Sequence, residues 1–167
     1  MIDVVVDDLA SIKADAVVRP ATDTLEPTSA ALRQLERIGG PRFHQQLETR
    51  DPLVIGAATV TGAGDLPAEF VIHAIIRSAS EPVSRSGVQR ALVNVLQQAV
   101  AWQFQALALP PLGTGPGNLP FEDAAEILCD VLHSHLRAQA FPSEVKIVVE
   151  TDEDKTVLEH LLRTREA

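Results

Sequence analysis

The order of two periodicities along the chain restricts its folds more than any single motif. Apolar runs of strand length alternate with stretches whose apolar residues recur at helical spacing. Residues 2–6 form a β-branched run that Asp7-Asp8-Leu9-Ala10 breaks, and residues 15–18 resume an apolar strand pattern. From Thr28 onward Ala31, Leu32, Leu35 and Ile38 share one helical face; Gly39-Gly40-Pro41 stops that helix, and a second short helix is predicted over 41–47. Residues 57–61 and 70–76 read as two strands joined by the turn-rich segment 62–67, a hairpin or a paired excursion. Val88, Leu92, Val95, Leu96, Ala99 and Val100 make an amphipathic helix that leads into a strand at 107–110. Phe121, Ala124, Ala125, Leu128, Val131, Leu132 and His135 repeat the helical spacing. A last strand covers 145–149, and Asp152 is expected to cap a closing helix whose apolar face is Val157, Leu158, Leu161 and Leu162. This alternation predicts an α/β fold of three layers, α/β/α, with a mixed central sheet, in one domain spanning 1–167.

Between the strand at 107–110 and the helix from Phe121 lies Pro111-Leu112-Gly113-Thr114-Gly115-Pro116-Gly117-Asn118-Leu119-Pro120. Glycines let a backbone approach a ligand closely, and a helix start leaves unpaired N–H groups, so strand, glycine loop and helix together can cradle an anion. The loop has no Gly-Lys-Ser/Thr, so it is not a Walker A loop; Pro116 and Asn118 interrupt any dinucleotide fingerprint. The same spacing suits a turn built for geometry alone, and the local pattern leaves both readings open. Ligands of such sheets sit at the carboxyl ends of strands, where this loop and Asp7-Asp8 both fall.

Composition narrows the partners. A net charge of −9 with no Lys/Arg cluster argues against a nucleic-acid backbone or an anionic membrane, and aromatic content of 4% without tyrosine leaves few platforms for stacking bases. One cysteine excludes a disulfide framework and a cysteine-rich zinc site. The chain opens without the basic and long apolar segments of a signal peptide and has no apolar run of membrane-spanning length, so a cytoplasmic protein is expected. Other candidate chemistry has plainer explanations. His73 lies in an apolar strand as a hydrogen-bonded core histidine, and Cys129 falls on a helix as a core thiol with no His–Asp pattern to activate it. His133 and His135 sit on different helical faces, and Ser84, Ser86 and Ser143 lack a Gly-x-Ser-x-Gly frame. Glu122 and Asp123 suit the dipole of a helix's first turn.

Asp7-Asp8-Leu9, Asp15-Ala16-Val17-Val18, residues 60–67, Phe70-Val71-Ile72-His73-Ala74 and Leu109 to Pro120, in that order, resemble a macrodomain, the fold known for binding ADP-ribose. Asp7-Asp8-Leu9 stands where that family has Gly-Asp-Ile, and Asp15-Ala16-Val17-Val18 where it has Asp-Ala-Ile-Val. Val60-Thr61-Gly62-Ala63-Gly64-Asp65-Leu66-Pro67 resembles its threonine-glycine strand turn, and Phe70-Val71-Ile72-His73-Ala74 its Tyr-Val-Ile-His-Ala. Leu109 to Pro120 resembles a second phosphate loop that reads Phe-Pro-Leu-Leu-Gly-Thr-Gly-x-Gly-Gly-Leu-Pro in the family's bacterial branch. The resemblance implies a ligand site of Asp8, Leu9, Thr22, Gly113, Thr114, Gly115, Pro116, Gly117 and Asn118. In it Asp8 accepts from the adenine amino group and the loop takes the distal phosphate and ribose; Asp8 equally suits a turn after the first strand.

The segment after Val18 departs from the family. Asn-Ala-Ala-Asn and a first phosphate loop of near-consecutive glycines are expected there; the chain has Arg19-Pro20-Ala21-Thr22 and Pro27-Thr28-Ser29-Ala30-Ala31 at constant length, with Leu32 in place of the acidic residue of the hydrolytic branch. Thr28 or Ser29 is expected to cap the next helix. Arg19 has two readings, a fork for pyrophosphate oxygens or a surface residue at a strand end. The resemblance then implies a binding module for ADP-ribose or a related nucleotide, free or as a protein modification, with weakened or lost hydrolysis and no assignable catalytic residue, metal or cofactor. The alternatives are a degenerate macrodomain serving as a structural or protein-interaction domain, and a hydrolase of ADP-ribosyl or O-acetyl-ADP-ribose esters.

Overall fold

The computed structural model describes residues 1–48, 51–115 and 118–166. Its strands are β1 (Ile2–Val6), β2 (Ala16–Thr22), β3 (Ala58–Gly62), β4 (Phe70–Arg77), β5 (Ala106–Leu109) and β6 (Glu144–Val149). They form one sheet in the order β1-β6-β5-β2-β4-β3, in which β3 runs antiparallel to β4 and the other neighbours are parallel. The helices are α1 (Ala30–Gln46), α2 (Arg85–Trp102), α3 (Phe121–Ala138) and α4 (Asp152–Glu166). This is the mixed-sheet α/β architecture that the alternation of patterns predicts.

Side chains alternate across the sheet with the period of two that strands impose. Val17, Val71, Ala108 and Val148 point to one face and bury Leu32, Leu35 and Phe43 of α1. Val18, Ile72, Leu107, Leu109 and Ile147 point to the other, where α2 and α3 lie with Leu158 of α4. Cys129, on the inner side of α3, is fully buried, and burial pushes its thiol up to about 11. No described helix is long and apolar enough to cross a membrane.

The differences from the sequence reading are local. β2 does not stop at Val18; it continues through Arg19 and Pro20 to Thr22, because β4 pairs with it along that whole length. β5 ends at Leu109, before Pro110, which has no N–H to offer a ladder. The helical break expected at 39–41 is present inside α1, where Gly40 adopts φ 77°. That angle suits glycine, and Pro41 then restarts the helix where a missing N–H costs nothing. Ser29 caps α1, its hydroxyl accepting from the Leu32 N–H at 3.3 Å. Asp152 is not the cap of α4 but its first residue: the Thr151 hydroxyl accepts from the Asp154 N–H at 3.1 Å and takes that role.

Candidate functional site

The sheet opens where two of its parallel strands part. β2 and β5 pair only at Ala16 with Leu107 and Val17 with Ala108, after which β2 runs on beside β4 alone. Prolines border the gap, Pro20 on one side and Pro110 and Pro111 on the other, and none can donate a bond that would close it. A cleft of about 670 Å³ fills the space at the carboxyl ends of the strands, within the size range of small-molecule sites. Thr28, Ser29, Ala31 and Leu32 at the start of α1 line it together with Gly113, Thr114 and Gly115 of the glycine loop. Asp7, Asp8 and Leu9 after β1, and Val149, Glu150 and Asp154 at the β6–α4 junction, line it as well.

The loop is folded by its own hydrogen bonds. The Gly113 carbonyl accepts from the Leu119 N–H at 2.9 Å, and the Thr114 carbonyl accepts from Asn118 Nδ2 at 3.3 Å. A trans peptide sets the next N–H opposite its carbonyl, so the Thr114 and Gly115 amides point away from the Asn118–Leu119 side of the loop. Gly113 adopts φ 90°, and a Cβ there would stand 2.9 Å from Val88 Cγ2 and 3.1 Å from Val83 Cγ1, so neither conformation nor space admits a side chain. Gly115 adopts φ 120° in more open surroundings. Across the cleft, Ser29 already satisfies the N–H groups of Leu32, through its hydroxyl, and Arg33, through its carbonyl. The Ala30 and Ala31 amides remain as the helix's open donors.

Of the residues the sequence singled out, Asp8, Leu9, Gly113, Thr114 and Gly115 come together in this cleft. Asp8 also serves the turn, since its Oδ1 accepts from the Ala10 N–H at 3.1 Å. Asn118 lies behind the loop and ties it shut. Thr22 is not among the lining residues. It ends β2 past a register shift between Ala21 and Thr22, and its hydroxyl accepts from the Glu26 N–H of the following connection at 3.1 Å. Pro116 and Gly117 lie outside the described residues.

Neither reading of Arg19 describes where it sits. Strand alternation sends it under α1, where it is fully buried (0% exposed) and meets no surface and no cleft. Its Nε donates to His73 Nδ1 at 2.8 Å, Nη1 to Glu36 Oε1 at 2.8 Å and Nη2 to the Leu25 carbonyl at 2.6 Å. His73 accepts at Nδ1, so its Nε2 carries the proton and donates to the Thr61 hydroxyl at 2.8 Å. Burial first, and the Arg19 charge second, hold His73 well below the usual histidine range.

The charge of the cleft is one-sided. Asp7, Asp8, Glu150 and Asp154 line it, and among the described lining residues there is no lysine, arginine, histidine or cysteine. Asp7 is fixed in its turn by the Asp8 N–H at 2.7 Å and the Ser11 hydroxyl at 3.0 Å, which in that order hold its carboxyl below the usual carboxylate range. An anion in this cleft is therefore met by backbone N–H groups and the α1 dipole. Among the described residues no three His, Cys, Asp or Glu side chains converge as a metal site. The sequence reading missed Pro20, Pro110, Ser29, Glu150 and Asp154. The strand-end rule that located Asp7-Asp8 applies equally to Glu150 after β6 and would have found it.

The Macro domain family matches residues 18–128. An O-acetyl-ADP-ribose deacetylase of Enterobacter sp. (strain 638) is 31% identical over 170 residues, covering 98% of this chain and 94% of that protein. An uncharacterized protein of Mycobacterium tuberculosis is 30% identical over 128 residues, covering 77% of this chain but only 36% of its own length, so this chain spans about a third of that relative. Among solved structures, the Trypanosoma brucei macrodomain in complex with ADP-ribose superposes with a TM-score of 0.85 at 16% identity, covering 95% of this chain and 68% of that one. With two thirds of the chain matched by the family and a full-length relative above 30% identity, the protein belongs to the Macro domain family.

Proposed function

We propose that the cleft binds ADP-ribose or a related nucleotide and that ester hydrolysis is weak or lost. The observation that carries this reading is that the glycine loop, through Gly113, Thr114 and Gly115, and the start of α1, through Ser29 and Ala31, line one cleft, with Asp8 at the β1 end. Backbone N–H groups at a helix start and a glycine loop suit a diphosphate, and a carboxylate suits an exocyclic amine. The family's ADP-ribose-bound member and the deacetylase relative agree with that ligand class. Calorimetric titration with ADP-ribose, ADP and AMP in parallel tests it. At about a hundred times its dissociation constant a ligand adds roughly 2.7 kcal/mol of stability, readable as a thermal shift. No heat and no shift at millimolar ADP-ribose would overturn the reading.

Hydrolysis of an acetyl ester needs a positioned water and a group to take its proton. Asp7 and Asp8 are engaged in the turn after β1, and Glu150 and Asp154 belong to the β6–α4 junction and not to the loop. Acetate release from O-acetyl-ADP-ribose is expected to stay at the buffer rate. The rival reading, a protein-interaction domain without nucleotide, draws on the replaced first loop, whose Ala30 and Ala31 Cβ atoms crowd the approach to their own amides. The same titration separates the two.

A further inference from the structure

We propose that Arg19 is a positioning residue for the cleft: a buried guanidinium that holds the β2–α1 connection and the start of α1 in place, a task met by backbone shape alone where a glycine loop occupies this segment. The inference rests on the nucleotide reading for its effect on affinity, but not for its effect on the segment itself.

The argument begins from cost. A fully buried charge is expensive unless every donor is met, and a guanidinium is the one cation whose fixed fork can meet three directions at once. Here the three directions are three elements: β4 through His73, α1 through Glu36, and the connection through the Leu25 carbonyl. Leu25 is itself held in a left-handed conformation, φ 64°, that a leucine adopts only under constraint, and the Arg19 hydrogen bond to its carbonyl is part of that constraint. Glu36 is its only charged partner among the described residues and keeps 12% of its side chain exposed. The Phe43 ring, 6.0 Å from the guanidinium carbon, covers the group from the second part of α1. Four residues beyond Leu25 stands Ser29, whose cap fixes where the α1 amides begin. The next strand residue, Pro20, lines the cleft. Arg19 thus sits directly behind the wall that presents the Ala30 and Ala31 donors, and touches no ligand itself.

Hydrophobic replacement of a buried ion pair is often neutral for stability, whereas removing one partner alone leaves the other uncompensated. The test is therefore the double variant Arg19→Met/Glu36→Leu, with Arg19→Lys as the charge-preserving second variant and Ile72→Val, on the opposite sheet face, as a control for lost stability. Each is read by hydrogen exchange and by ADP-ribose titration well below its Tm. If Arg19 positions the wall, exchange over 24–32 accelerates about tenfold or more while β5 and β6 keep their protection, and affinity falls about tenfold. Ile72→Val leaves both unchanged. Wild-type exchange over 24–32 in a folded double variant overturns the proposal; if the double variant does not fold, the same result in Arg19→Lys, whose single ammonium cannot meet all three directions, overturns it. If the wild-type protein binds no nucleotide, the function reading falls and the exchange arm alone decides the role of Arg19.

Discussion

His73 is the residue whose titration the fold resists most. Buried against a guanidinium and accepting at Nδ1, it is neutral when folded, while in the unfolded chain it titrates near the ordinary value of 6.5. Between those two values the unfolded state binds more protons, so stability falls as pH falls below about 6.5 and is fully present above it. Asp7 adds a loss of the same sign only lower, as pH falls through and below its ordinary 3.8. Melting temperature measured from about pH 7 to about pH 5 should decline, and His73→Gln, which keeps an acceptor for Arg19, should flatten that decline. At Gly115 the question is conformation. A β-branched side chain at φ 120° costs of the order of 1–3 kcal/mol and would swing the loop amides out of line. Gly115→Val should abolish nucleotide binding in a titration while leaving a cooperative thermal transition.

At the level of elements, the start of α1 separates two neighbouring hydroxyls. Ser29 accepts from the Leu32 N–H, so Ser29→Ala should cost about 1 kcal/mol in denaturant unfolding; the Thr28 hydroxyl has no hydrogen bond among the described residues, and Thr28→Gly should stay within about 0.5 kcal/mol. The inner strands were legible in the chain because both faces of the sheet are covered there, which makes β5 and most of β2 and β4 apolar. The break at Gly40 was legible because glycine and proline mark it. What could not be read was β2 beyond Val18: an arginine and a proline look like the end of a strand, and only the burial of Arg19 under α1, with β4 alongside, makes them its continuation. The cleft followed the same division. Asp8 and the glycine loop announce themselves by residue type, but Pro20, Ser29 and Asp154 line it only because three distant chain segments converge where β2 leaves β5.

For the molecule as a whole, an acidic chain holds an acidic cleft, and any phosphate entering it does so against the general field. Salt should therefore help. Raising NaCl from about 20 mM to about 300 mM shortens the screening length from roughly 20 Å to roughly 6 Å, and ADP-ribose affinity should hold or rise, whereas a lysine- or arginine-lined site would lose affinity. Cys129 gives the same molecule a clock. With its thiol pushed up to about 11, only about one in a thousand is thiolate at pH 8, and none is within a reagent's reach while α3 stays packed. Alkylation then waits on opening of the core, so its rate in plain buffer counts how often each molecule unfolds. Ligand in the cleft should slow that count in proportion to its occupancy, reporting binding from a sulfur atom that no ligand touches.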